Sequence, residues 1–149
     1  MAVMENGISV LYGIYVLREQ AHAYMDVISS KKAFISSALG LENYRLLTDR
    51  NTSRLMAIDD FFLYTVRASQ LGPFDFSPLP ENWSNTKTLA DPSLVPPAEI
   101  ILLSFERIVV EWCTFMLSSP EIDLFRSKFF LDIAKRSQME ISFILSCAD

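Results

Sequence analysis

A glutamate and a histidine three residues apart are the first candidates for chemistry in this sequence. Glu19 and His22 have the Glu-x-x-His spacing that carboxylate-bridged two-metal centres use twice, on two helices of a bundle. His22 is the chain's only histidine, so the second motif cannot exist, and Phe143 stands three residues after Glu140. At about 100° per residue, Glu19 and His22 also lie away from the apolar stripe of their helix. We therefore predict no metal and no cofactor; a degenerate or single-metal site is the alternative.

The two cysteines, Cys113 and Cys147, are the next candidates, as thiol nucleophiles. Neither has an activating group close in sequence, and both fall on apolar helix faces, where thiols are usually unreactive core residues. Glycine-rich phosphate loops, serine-hydrolase motifs and zinc-ligand spacings do not occur. We therefore predict a protein without enzymatic activity, and an enzyme of another class stays open.

Three charged residues, Asp132, Arg136 and Glu140, follow one another at four-residue spacing in the last predicted helix. Arg136 and Glu140 fall near the middle of its apolar stripe, where an unpaired charge is costly, and Glu106 has similar neighbours in the preceding helix. Three explanations are open. The charges form a buried network that fixes helix register, or they line an open groove or oligomer interface, or Glu106, Arg136 and Glu140 form a ligand or metal pocket. We favour the network. We also expect Arg136 and Glu140 to pair along the helix and to be partly buried.

The first predicted helix is apolar on two sides. Val16 and Val27 lie opposite its main apolar stripe, with Tyr12 and Tyr15 nearby. Such a helix is either central in its fold or covered by a partner, and tyrosine is enriched at interfaces. These four residues are therefore predicted to form an interface. Cover from the chain's own proline-rich segment is the alternative.

Helical periodicity dominates the whole pattern and predicts an all-α fold. Gly40 is a stop or kink, and the polar stretch 48–54, with Asn51 or Thr52 as a cap, predicts a possible break. Four prolines in 71–95 exclude a continuous helix, and Ser119-Pro120-Glu121 predicts a helix start. The four predicted helices span about 7–39, 41–70, 96–118 and 119–147. The prediction is one domain, 1–149: an antiparallel four-helix bundle with a long crossover, which is a ferritin-like layout by analogy of topology.

Composition limits the function classes. With 149 residues, 50% of them hydrophobic, the chain can bury a core without disulfides. A net charge of −5 without a Lys/Arg cluster argues against nucleic acid. Charges interrupt the longest apolar run, so no membrane span is predicted, and the N-terminus lacks a secretion signal. We expect a cytoplasmic protein.

These patterns together predict a non-enzymatic helical protein–protein interaction module that self-associates. The alternative is a ferritin-like bundle with a reduced metal site or a small-ligand pocket near Arg136. The predicted ligand- or partner-binding residues are Glu106, Asp132, Arg136 and Glu140.

Overall fold

A computed structural model describes residues 10–69, 97–120 and 122–147 of the chain. These residues form helices and short turns without any strand, which confirms the all-helical prediction. None of the helices described is both long and apolar enough to cross a membrane. The proposed crossover at 71–95 and Glu121 lie outside the described residues. The helices of the described ranges are α1 (Val10–Ser30), α2 (Lys32–Leu39), α3 (Leu41–Ser69), α4 (Ala98–Leu117) and α5 (Leu124–Cys147).

The first predicted helix is divided in two at Lys31, a break that was not predicted. The carbonyl oxygen of Ile28, which a continuous helix would offer to the N–H of Lys32, accepts a hydrogen bond from the hydroxyl of Tyr44 at 2.9 Å. The stop at Gly40 is confirmed. This residue has a φ of 93°, in the region that favours glycine, and its N–H donates to the carbonyl of Ser36 at 2.8 Å.

The possible break in the second predicted helix at 48–54 is wrong, because α3 is continuous from Leu41 to Ser69. Its polar side chains form hydrogen bonds inside the helix. Thr48, Asn51 and Thr52 each donate to the carbonyl oxygen four residues earlier, at 2.9 Å. The polar side chains are thereby accommodated without a break, and Asn51 is not a cap.

Helix α4 begins after Pro97, as predicted, with Glu99 in its first turn. Helix α5 begins at Leu124, later than the predicted start at Ser119-Pro120. The cap is Asp123: its carboxylate accepts the backbone N–H of Arg126 at 2.7 Å. An aspartate in this position satisfies an otherwise unpaired amide of the first turn, so it fixes the start.

The buried apolar residues that the structure describes form two clusters, one towards each end of the helices. The first includes Ile14, Trp112 and Phe130, and the second includes Tyr24 and Phe105, whose rings stack at 4.7 Å. The indole of Trp112 donates to the carbonyl of Gly13 at 2.8 Å. A Cβ at Gly13 would collide with the side chain of Met116, so glycine permits the close approach of α1 and α4.

Candidate functional site

A polar layer separates the two apolar clusters, and its centre is an ion pair between Arg54 and Glu106. Arg54 is 4% exposed and Glu106 is 0% exposed. The two terminal nitrogens of the guanidinium donate to the two carboxylate oxygens at 2.6 and 3.0 Å. They also donate to the hydroxyl of Ser137, at 2.7 Å, and to the side-chain carbonyl of Asn51. One arginine therefore joins α3, α4 and α5 by charge-assisted hydrogen bonds.

The surroundings of this ion pair shift the pKa of Arg54 and the pKa of the neighbouring Tyr24. Burial is the largest single effect and lowers the pKa of Arg54, but the charge and hydrogen bonds of Glu106, with smaller contributions from Tyr24 and Glu140, together raise that pKa. Burial, and then the charge of Glu106, raises the pKa of Tyr24 well above its usual 10.0. The Tyr24 ring lies 5.7 Å from the guanidinium carbon of Arg54. Arg54 therefore stays charged and Tyr24 stays neutral near neutral pH.

A second arginine of α3, Arg50, compensates the charge of Glu140. Its Nε donates to the two carboxylate oxygens at 3.0 and 3.1 Å, and one terminal nitrogen lies 2.9 Å from the nearer oxygen. The guanidinium carbon of Arg50 also lies 4.3 Å from the centre of the Phe143 ring. Glu140 is buried, as expected from its place in the apolar stripe, but its partner comes from another helix.

The predicted pairing of Arg136 with Glu140 is therefore wrong. Arg136 instead pairs with Asp132 at 3.0 Å, with side-chain exposures of 40% and 56%. Both carboxylates lie four residues from Arg136, on opposite sides of it along the helix. Because Arg50 already binds the carboxylate of Glu140, Arg136 pairs with the exposed Asp132 instead.

A pocket of about 130 Å³ opens between α3 and α5 beside these ion pairs. Of the residues that line it, Arg54 is buried and Met139 is exposed. The lining residues are Arg50, Ser53, Arg54, Arg136, Met139 and Glu140.

The structure thus divides the four residues that were predicted as one binding group. Glu106 belongs to the buried network, Arg136 and Glu140 line the pocket, and Asp132 lies beside Arg136 outside the lining. The prediction missed the network residues Tyr24, Asn51, Arg54 and Ser137. A signal for two of them was present, because Leu47, Asn51, Arg54 and Ile58 have the alternating four- and three-residue spacing of a helix's buried side.

The predicted interface on α1 needs correction at two of its four residues. Val16 and Val27 are buried among the chain's own core residues, so no partner is needed to cover them. Tyr12 and Tyr15 are half-buried, with ring centres 6.0 Å apart, and Tyr15 lies 6.2 Å from the ring of Phe62. An interface at these tyrosines stays a prediction.

His22 lies in a charged group between α1 and α3. Its Nε2 is 3.0 Å from an oxygen of Asp59, and the Nε of Arg18 donates to the same oxygen at 2.9 Å. Among the described residues, no three histidine, cysteine, aspartate or glutamate side chains come close enough together to hold a metal ion.

The two cysteines are free, and their surroundings do not activate them. Cys113 is buried in the first core cluster, and burial raises the pKa of its thiol from 9.0 to about 12. Burial also raises the pKa of Cys147, near the end of α5. The thiolate form needed for nucleophilic attack is therefore disfavoured at both.

An aromatic cluster lies between α3 and α5, beyond the pocket. Phe61 stacks on Phe129 with ring centres 4.0 Å apart, and Phe125 lies 5.4 Å from Phe61 and 5.7 Å from Tyr64. Tyr64 and Phe125 are each 55% exposed. Among the residues that the structure describes, α3 and α5 carry five exposed large apolar side chains each, and α1 carries none.

Comparison of the chain with protein-family models, with curated proteins and with solved structures found no match. The function must therefore be inferred from the geometry of these side chains.

Proposed function

We propose that this chain is a non-enzymatic helical interaction module that self-associates through the side formed by α3 and α5, here called the α3/α5 face. The observation that carries the proposal is the exposure of Tyr64 and Phe125, whose rings are in contact. Leu124, the residue before Phe125 in sequence, is 72% exposed. Single exposed apolar residues are ordinary, whereas a contiguous apolar patch marks an interaction site.

The pattern along both helices supports a helical partner. One row of residues on α5 runs along the side of that helix nearest α3. Successive members of the row are four and three residues apart in turn, which places them on one line along the helix. Rows of this kind suit the docking of an amphipathic helix in a groove. The row on α5 is Phe125, Phe129, Asp132, Arg136, Met139 and Phe143.

A second copy of the chain fits this row because the row is self-complementary in charge. Asp132 and Arg136 are neighbours on it and both are partly exposed. In a two-fold symmetric dimer, each surface meets its own copy, so Asp132 of one chain can pair with Arg136 of its partner. Oppositely charged pairs of this kind favour one register between the copies.

The proposal includes the antiparallel four-helix layout, with α1 and α2 counted as one helix. Contacts between helices support it. From Arg50–Glu140 through Phe61–Phe129 to Tyr64–Phe125, residue numbers rise along α3 and fall along α5. Between α1 and α4, Gly13 contacts Trp112 and Tyr24 contacts Phe105. Residue numbers therefore rise along α1 and fall along α4. A cytoplasmic location is part of the proposal, since two free thiols suit a reducing compartment.

Light scattering on three variants tests the proposal. We expect the native chain to form a dimer at micromolar concentration, and Phe125→Ser or Tyr64→Ser to shift the mass towards the monomer of 17.0 kDa. Ile100→Ser is the matched control, because Ile100 is 50% exposed but lies on α4. Circular dichroism checks that each variant is folded. An equal loss of mass in the Ile100→Ser control would argue against the α3/α5 face.

A further inference from the structure

We infer that the pocket between α3 and α5 binds a carboxylate group and that Arg136 anchors it. The charges at the pocket lead to this assignment. Its wall contains three arginines and one glutamate. Glu106 neutralises Arg54 from the core, and Glu140 neutralises Arg50 within the wall. Arg136 remains as the positive charge of the wall whose partner, Asp132, lies outside the lining and is largely exposed to solvent rather than buried.

Arg136 is available because its present pair is weak. The Asp132 carboxylate is 56% exposed, and an exposed ion pair of this kind contributes little to stability. Asp132 contacts the Nε of Arg136 at 3.0 Å, whereas a guanidinium offers five donors and binds a carboxylate best through two parallel hydrogen bonds. An incoming carboxylate can therefore take the place of Asp132, and Asp132 is a built-in competitor for the site.

The size and the remaining lining define what the carboxylate is attached to. About 130 Å³ is far below the roughly 300–1,000 Å³ of sites for drug-sized ligands, so a nucleotide or a large cofactor does not fit. Met139 supplies an adaptable apolar wall. Arg50 is held by Glu140 and lies on the Phe143 ring, which keeps that side of the pocket in place. The group that fits is a carboxylate on a short apolar chain.

Such a group has two possible sources, a free short-chain acid or the acidic side chain of a docked second copy. Binding of a free acid does not depend on the proposed self-association. The second source rests on it, because the pocket lies in the α3/α5 face. The chemistry at Arg136 is the same for both.

Titration with hexanoate, followed by nuclear magnetic resonance of the Met139 methyl group, tests the inference. We expect saturable binding of hexanoate and none of hexanamide, its uncharged counterpart. Arg136→Gln should weaken binding at least about tenfold, as expected for the loss of a charge-assisted contact. Asp132→Asn should strengthen binding, because it removes the competitor. Lys135→Gln makes the same change of charge at the neighbouring exposed residue and should leave the affinity unchanged.

Equal binding of hexanamide, equal loss in Lys135→Gln, or weaker binding in Asp132→Asn would each overturn the inference. Repeating the titration on Phe125→Ser separates the two sources. If a free acid is the ligand, the affinity matches that of the native chain. If a second copy supplies the carboxylate, hexanoate binds Phe125→Ser more tightly and lowers the mass of the native protein. Absence of saturable binding to both proteins refutes the carboxylate site, whatever the oligomeric state.

Discussion

Removing one partner of the Arg54–Glu106 pair should destabilise the protein strongly. Glu106→Leu leaves a buried guanidinium without its counter-charge, and Arg54→Met leaves a buried carboxylate. Breaking a buried pair in this way costs about 3–5 kcal/mol. Arg54→Met also removes the donor to Ser137 and Asn51, and each unsatisfied buried group adds roughly 1–3 kcal/mol. Because a domain is stable by about 5–15 kcal/mol, either single change should remove a large share of its stability.

The double variant Arg54→Met/Glu106→Leu should cost far less than the sum of the two single changes. Replacing a buried pair with apolar side chains also removes the desolvation penalty of both charges. Urea denaturation followed by circular dichroism gives the free energies of unfolding. Arg136→Met is the control, because the exposed Asp132–Arg136 pair should contribute about 0.5 kcal/mol or less. Additive costs, or single variants that lose less than about 1 kcal/mol, would refute the argument from a buried charge.

Three further predictions concern other residues. Folding raises the pKa of Cys113 from 9.0 to about 12, so the stability present below pH 9 should fall as pH rises towards 12. The expected slope is about 1.4 kcal/mol per pH unit, and denaturation of Cys113→Ala at several pH values should show a shallower slope. Gly13→Ala should lower the free energy of unfolding by about 1–3 kcal/mol in urea denaturation, because the new Cβ meets Met116. Elemental analysis of the purified protein should find no stoichiometric metal that is lost on His22→Ala.

The helices were predictable because their signals are local. Apolar residues recur at the helical period, Gly40 has no Cβ to oppose a positive φ, and Pro97 precedes α4. The division at Lys31 was not predictable, because it depends on a hydrogen bond from Tyr44, a residue of another helix. Within the polar stretch of α3, Arg54 binds Glu106 on α4 and Ser137 on α5, partners that no spacing along α3 indicates.

The candidate site was predictable in its burial but not in its pairing. The position of Glu140 within an apolar stripe correctly predicted its burial, and Glu106, which has similar apolar neighbours, is buried as well. Their partners, Arg54 and Arg50, lie 52 and 90 residues away in sequence, so no spacing along one helix could reveal them. The four-residue spacing of Arg136 and Glu140 indicated a local pair, but Arg50 on α3 donates to the carboxylate of Glu140 instead.

Sedimentation equilibrium of the native chain, from low to high micromolar concentration, tests self-association most directly. The exposed rings of Tyr64 and Phe125 predict an average mass above 17.0 kDa at high concentration, approaching twice that value and falling on dilution. Phe125→Ser should stay near 17.0 kDa under the same conditions. A native mass of 17.0 kDa throughout the range would contradict self-association through the α3/α5 face.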